Sequence, residues 1–122
     1  GGGSAMGPWG VGGAAGYEKR MAVQAEAWTI FMAKASKKEA LSYSDVPWPK
    51  VLLGGDLAME AIMLPPQLVY DETAKKKLVR EALRRWHPDK FQQRFEALLS
   101  PADRDRVMEQ VKVVSQALTA LV

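Results

Sequence analysis

From Tyr17 onward, apolar residues recur at helical spacing. Tyr17, Met21, Ala25, Trp28 and Met32 follow at intervals of four, four, three and four. That period puts them on one side of a helix. It predicts a helix from Tyr17 to about Lys37, with Ile30 and Phe31 widening the stripe. A stripe of methionine and aromatic residues at this spacing reads as a core-facing surface rather than a ligand site. A second stripe, Val107, Val111, Val114, Leu118 and Leu121, predicts a helix near the end of the chain. Its start is signalled by Ser100 as N-cap with Pro101 at the first helical position, and Asp103 near the positive helix end.

Between these lie shorter elements. Gly54 and Gly55 mark a turn, Asp56 offers an N-cap, and Leu57 to Leu64 reads as a short helix stopped by Pro65 and Pro66. Asp71 can cap a helix from Glu72 to Trp86, on which Leu78, Val79, Ala82, Leu83 and Trp86 share one side. At 100° per residue, Lys76, Lys77, Arg80 and Arg84 fall on the opposite side. Phe91 to Leu99 reads as a further short helix, with Phe91, Phe95 and Leu98 together. No strand run and no internal repeat is visible. The pattern predicts an all-α domain of about four or five helices, with a core built from their packed apolar sides.

Ser42 to Lys50 breaks the helical pattern, because Pro47 and Pro49 flank Trp48 and favour an extended chain. An indole on so stiff a segment suits an anchor. The preferred reading is an internal clamp between the first helix and the rest of the domain, with a partner contact as the alternative. Before Tyr17, Gly1 to Gly7 reads as a linker and cloning remnant, and Pro8 to Gly16 as a flexible glycine-rich stretch. Trp9 is either an exposed passenger or a docking residue. The chain thus divides into residues 1–16 as remnant and linker and residues 17–122 as a single domain.

Composition narrows the function classes. Apolar residues make up 48% of 122, as in a globular chain. A net charge of +3 is mild, so its distribution matters more than its size. With no cysteine, disulfides and thiol catalysis are excluded, and a cytoplasmic or nuclear setting fits. One histidine and no cysteine argue against zinc. No apolar run approaches the roughly 20 residues of a membrane span, and no secretory signal is visible. Neither a nucleophile motif near the histidine nor a phosphate-binding glycine loop is present, so no enzyme activity and no cofactor are expected.

The chemistry concentrates at one place. The basic run KKKLVREALRRW, Lys75 to Trp86, is followed at once by His87, Pro88 and Asp89. Proline fixes its own φ, lacks an amide donor and pushes the preceding residue out of helical geometry. The helix must end near Trp86 or His87, leaving an imidazole and a carboxylate on an exposed turn beside a cationic side. The imidazole can also cap the last carbonyls of its own helix. The cationic side reads either as a solvated surface or as a partner-binding one, and its clustering with only Glu81 nearby favours the latter.

A basic helix leading into an HPD turn resembles the J domain of DnaJ-type co-chaperones. The wider string RRWHPDKFQQRF, Arg84 to Phe95, is similar to the C-terminal J-like region of the NF-kappa-B-inhibitor-like protein and its fungal relatives, as is YSDVPWP, Tyr43 to Pro49. The resemblance spans roughly Tyr17 to Val122, most strongly Leu78 to Phe95. It implies a J-like helical hairpin with an added N-terminal helix. It also implies binding to a DnaK-type (seventy-kilodalton heat-shock) chaperone and stimulation of its ATPase. His87 and Asp89 would be the contact residues, Pro88 would set the shape, and Lys76, Lys77, Arg80 and Arg84 would assist. The competing reading is a nuclear module that associates with nucleic acid or scaffolds another protein, with a J-like fold and no chaperone activity. Six basic residues on one helix could lie along phosphates, but they lack a base-reading pattern.

Overall fold

The computed structural model describes residues 13–51 and 55–121. Gly1 to Gly7, Trp9 and the first glycine of the Gly54–Gly55 turn lie outside the described residues. The described residues form five α-helices and no strand: α1 (Gly13–Ser36), α2 (Leu57–Ile62), α3 (Glu72–Trp86), α4 (Pro88–Phe95) and α5 (Arg104–Leu121). Short 3₁₀ turns occupy Tyr43–Asp45, Pro66–Leu68 and Glu96–Leu98. The architecture is a small all-α domain.

The core forms where α2, α3 and α4 pack around α5. Val107, Val111, Val114 and Leu118 of α5 are fully buried, as their spacing requires. Facing them are Val79, Ala82 and Trp86 of α3, Ala61 and Ile62 of α2, and Phe91 and Phe95 of α4. Asp56 caps α2 by accepting from the Met59 N–H at 3.1 Å. That helix stops at Ile62 rather than Leu64, because Met63 takes a left-handed conformation at φ 50°.

Helix α1 departs from its predicted role. It begins at Gly13, so residues 13–16 belong to the helix and not to a linker. Its core residue is Phe31, fully buried, with Trp28 and Ala35 packed beside it. Met21 and Met32 are 43% and 38% exposed, and Ala25 is also exposed. A groove of about 320 Å³, lined by Met21, Ala25, Ala61, Leu78 and Ala82 among others, separates the first half of α1 from α2 and α3. That half is tied instead by the Tyr17 hydroxyl, which donates to the Met63 carbonyl at 2.9 Å.

The start of α5 is also displaced. Ser100 and Pro101 lie in a turn, and the helix begins at Arg104. The chain at Ser100 is tied to Leu41, its N–H donating to the Leu41 carbonyl at 2.8 Å beside the isolated parallel bridge of Leu41 and Leu99, and its carbonyl closes a turn by accepting from the Asp103 N–H at 2.9 Å. The Asp103 carboxylate accepts from the Tyr43 N–H at 2.9 Å.

Trp48 is half-buried and joins several elements. Its ring stacks on Trp86 at 5.5 Å and lies 5.1 Å from the Tyr43 ring, and its indole N–H donates to the Tyr43 carbonyl at 2.9 Å. The neighbouring Pro47 carbonyl accepts from Gln24 of α1 at 2.6 Å. The segment therefore links α1 to α3, as a clamp does.

Candidate functional site

Helix α3 carries two different sides because of its residue spacing. Asp71 caps it, accepting from the Ala74 N–H at 2.9 Å, and Glu72 complements the helix dipole in the first turn. Val79, Ala82 and Trp86 face the core, flanked by half-buried Leu78 and Leu83. Lys76, Lys77, Arg80 and Arg84 are all exposed. Among the described residues none of the four is within ion-pair distance of a carboxylate, whereas Lys75 pairs with Glu72 at 3.2 Å.

His87 is a joint rather than part of a loose turn. It is at once the C-cap of α3 and the N-cap of α4, with φ −62° and ψ 125°. Its N–H still donates to the Leu83 carbonyl at 2.8 Å, and its own carbonyl accepts from the Phe91 N–H at 2.9 Å. One extended residue thus ends one helix and begins the next. Pro88 occupies the first position of α4, where its missing N–H leaves nothing unpaired. The sequence expectation placed this short helix at Phe91 to Leu99. It starts three residues earlier, at Pro88, and gives way to the 3₁₀ turn Glu96–Leu98.

The imidazole is also placed differently from expectation. It does not cap the carbonyls of α3. Its Nδ1 accepts from the Asp89 N–H at 3.2 Å, capping α4. An accepting Nδ1 puts the ring proton on Nε2, which is then a donor. Asp89, also exposed, sits in the first turn of α4, where the helix dipole favours a carboxylate.

The residues on either side hold this joint. Trp86 and Phe91 are both buried, and their rings stack at 6.2 Å with only 7° between their planes. Phe91 also stacks on Phe31 at 6.3 Å and meets Phe95 edge-on at 4.8 Å. Aromatic pairs at such distances contribute about 0.5–1.5 kcal/mol each beyond their burial. With both neighbours locked inward, His87 and Asp89 are left at the surface and Pro88 half-buried between them.

The structure adds two arginines that spacing did not single out. Arg85 lies over the Trp28 ring at 4.8 Å, and Arg94 lies over the Phe95 ring at 4.8 Å while its Nη2 reaches the Met32 sulfur at 3.4 Å. Trp28 and Met32 are distant in sequence from the arginines they meet, so only the fold brings those pairs together. Among the described residues no group of three His, Cys, Asp or Glu side chains could hold a metal ion. No described helix is long and apolar enough to cross a membrane.

Compared with known families, residues 57–122 match the one described as NF-kappa-B inhibitor-like protein 1 C-terminal domain. The match covers α2 to α5, and so contains the basic helix, the His87 joint and the core they share. The chain belongs to this family. Helix α1 and the Tyr43–Pro49 segment lie outside the family match, although both pack on its core. No solved structure matches the chain.

Proposed function

We propose that this NF-kappa-B inhibitor-like C-terminal domain is a J-like, non-catalytic docking module for a DnaK-type chaperone. The surface that would dock comprises Lys76, Lys77, Arg80 and Arg84 of α3 with His87, Pro88 and Asp89 at its end. The observation that carries the reading is the joint itself. Two buried, stacked aromatics pin an exposed histidine and aspartate at the end of a helix whose outer side holds four cations with no ion pair among the described residues. Core packing accounts for the aromatics and capping for one imidazole nitrogen. Neither accounts for those cations or the free Nε2–H.

A cationic surface of this kind speeds encounter with an acidic partner and fixes its orientation. The His87 ring and Asp89 carboxylate would then make the short-range contacts that couple docking to ATP hydrolysis in the partner. The domain's own part is geometric, so it needs neither cofactor nor metal.

Single-turnover ATP hydrolysis by a DnaK-type chaperone, with and without the domain, tests this. Wild type is expected to accelerate hydrolysis and His87→Gln to abolish the effect at unchanged helicity. Arg80→Glu should weaken binding to the chaperone. Failure of wild type to stimulate would end the chaperone reading. Tight nucleic-acid binding that survives His87→Gln would transfer the basic side to a phosphate backbone. Its signature would be a log–log salt slope of about 0.9 per phosphate contact on duplex DNA.

A further inference from the structure

Beside the docking surface, and sharing Arg84 with it, lies a hollow of about 290 Å³, lined by Trp28, Met32, Glu81, Arg84, Arg85 and Arg94. Three arginines line it, Arg84 and Arg85 from α3 and Arg94 from α4. Among the described residues none of the three forms an ion pair. Three like charges set against the single carboxylate of Glu81 leave the hollow positive, and an anion entering it would balance that excess.

Arg85 and Arg94 are held by other means. Each lies over an aromatic ring, and Arg94 also contacts the Met32 sulfur. Those platforms orient the planar forks while leaving N–H donors for a ligand. The Arg85 pKa is lowered, first by partial burial and then by the charge of Arg94, with Glu81 opposing the shift.

The charge count selects the ligand. Three arginines and one glutamate line the hollow, a net of +2. A phosphate monoester carries about −1.5 to −2 at neutral pH, with three strong acceptor oxygens suited to arginine forks. A nucleic-acid strand fits less well. Its phosphodiesters carry one charge each and need a continuous track, which Glu81 interrupts. Its bases need a free aromatic surface, but Trp28 is covered by Arg85 and set against Phe31 and Trp86.

We infer that the hollow between α3 and α4 binds a phosphorylated serine or threonine side chain of a protein partner. This goes beyond the chaperone reading and does not depend on it.

The test uses the full chain, with inorganic phosphate and three short glycine-flanked peptides carrying phosphoserine, glutamate or serine. Binding is followed by NMR at the arginine Nε–H groups. Phosphate and the phosphoserine peptide should shift the Arg85 and Arg94 signals saturably, the glutamate peptide more weakly and the serine peptide not at all. Arg94→Ala should weaken phosphoserine binding at least ten-fold with helicity retained. If that variant fails to fold, Arg85→Lys serves, since it keeps the charge, loses the fork and should also weaken binding. Equal shifts by serine and phosphoserine, or undiminished affinity in the folded variants, would overturn the inference. So would a single-stranded RNA octamer that displaces the phosphoserine peptide at lower concentration than phosphate does.

Discussion

Trp48→Ala is a direct test of how the domain is held together. The substitution removes an indole that stacks on Trp86 at 5.5 Å, packs near Tyr43 at 5.1 Å and donates to the Tyr43 carbonyl at 2.9 Å. Truncating a fully buried tryptophan to alanine costs about 3–5 kcal/mol, from lost transfer energy and the cavity left behind. Trp48 is half-buried, so part of its surface already meets water and the site can partly fill with solvent. The expected loss is therefore about 3 kcal/mol, near the bottom of that range. For a domain of this size it corresponds to a fall in melting temperature of roughly 10–15 °C. Trp48→Phe keeps a ring on Trp86 but loses the indole donor, and should cost only about 1 kcal/mol. Urea titration and thermal melts, read by near-ultraviolet circular dichroism, measure both variants. A Trp48→Ala protein melting within about 3 °C of wild type would refute the clamp and leave Trp48 as a surface residue.

Two further predictions concern His87 and Asp45. His87→Ala removes the side-chain acceptor that caps α4 and should lower stability by about 1 kcal/mol, whereas His87→Asn restores a capping oxygen and should not. Both variants should lose ATPase stimulation, which separates the imidazole's capping role from its proposed contact role. Partial burial pushes the Asp45 carboxyl up, but hydrogen bonds from Ser42 and Lys34, with the Lys34 charge, outweigh it and hold its pKa below the ordinary value of 3.8. Because the folded value is the lower one, Asp45 adds stability above pH 3.8 that is lost as pH falls through the folded value. Asp45→Asn should thus be less stable than wild type at pH 7 in urea, with the gap closing toward pH 3. A gap that widens in acid would contradict the sign.

How much the sequence reveals differs between elements. Helices α3 and α5 were legible because their apolar stripes are covered along most of their length, so period and burial coincide. The α1 stripe misleads because period says which residues share a side, not how much of it a neighbour covers. Only the second half of α1, around Trp28 and Phe31, meets the core. Ser100 and Pro101 form a sound local start signal, yet the chain there makes a single turn, closed by the Asp103 N–H on the Ser100 carbonyl, and α5 waits until Arg104. The same rule of proline at the first helical position applies at Pro88, where it succeeds. At the candidate site, the exposed cations of α3 could be read from 100° spacing. The stack of Trp86 on Phe91 and the pairing of Arg85 with Trp28 could not, because they depend on how separate helices turn toward each other.

The central claim is that the outer side of α3 and the His87 joint form one docking surface for a DnaK-type chaperone. The most direct measurement is a titration of the ¹⁵N-labelled domain with ATP-bound chaperone, followed by amide NMR. The account predicts saturable, salt-sensitive broadening at Lys76, Lys77, Arg80, Arg84, His87 and Asp89, with α5 and the exposed part of α1 unaffected. Spectra unchanged at saturating chaperone, or perturbations confined to α1 or α5, would contradict it.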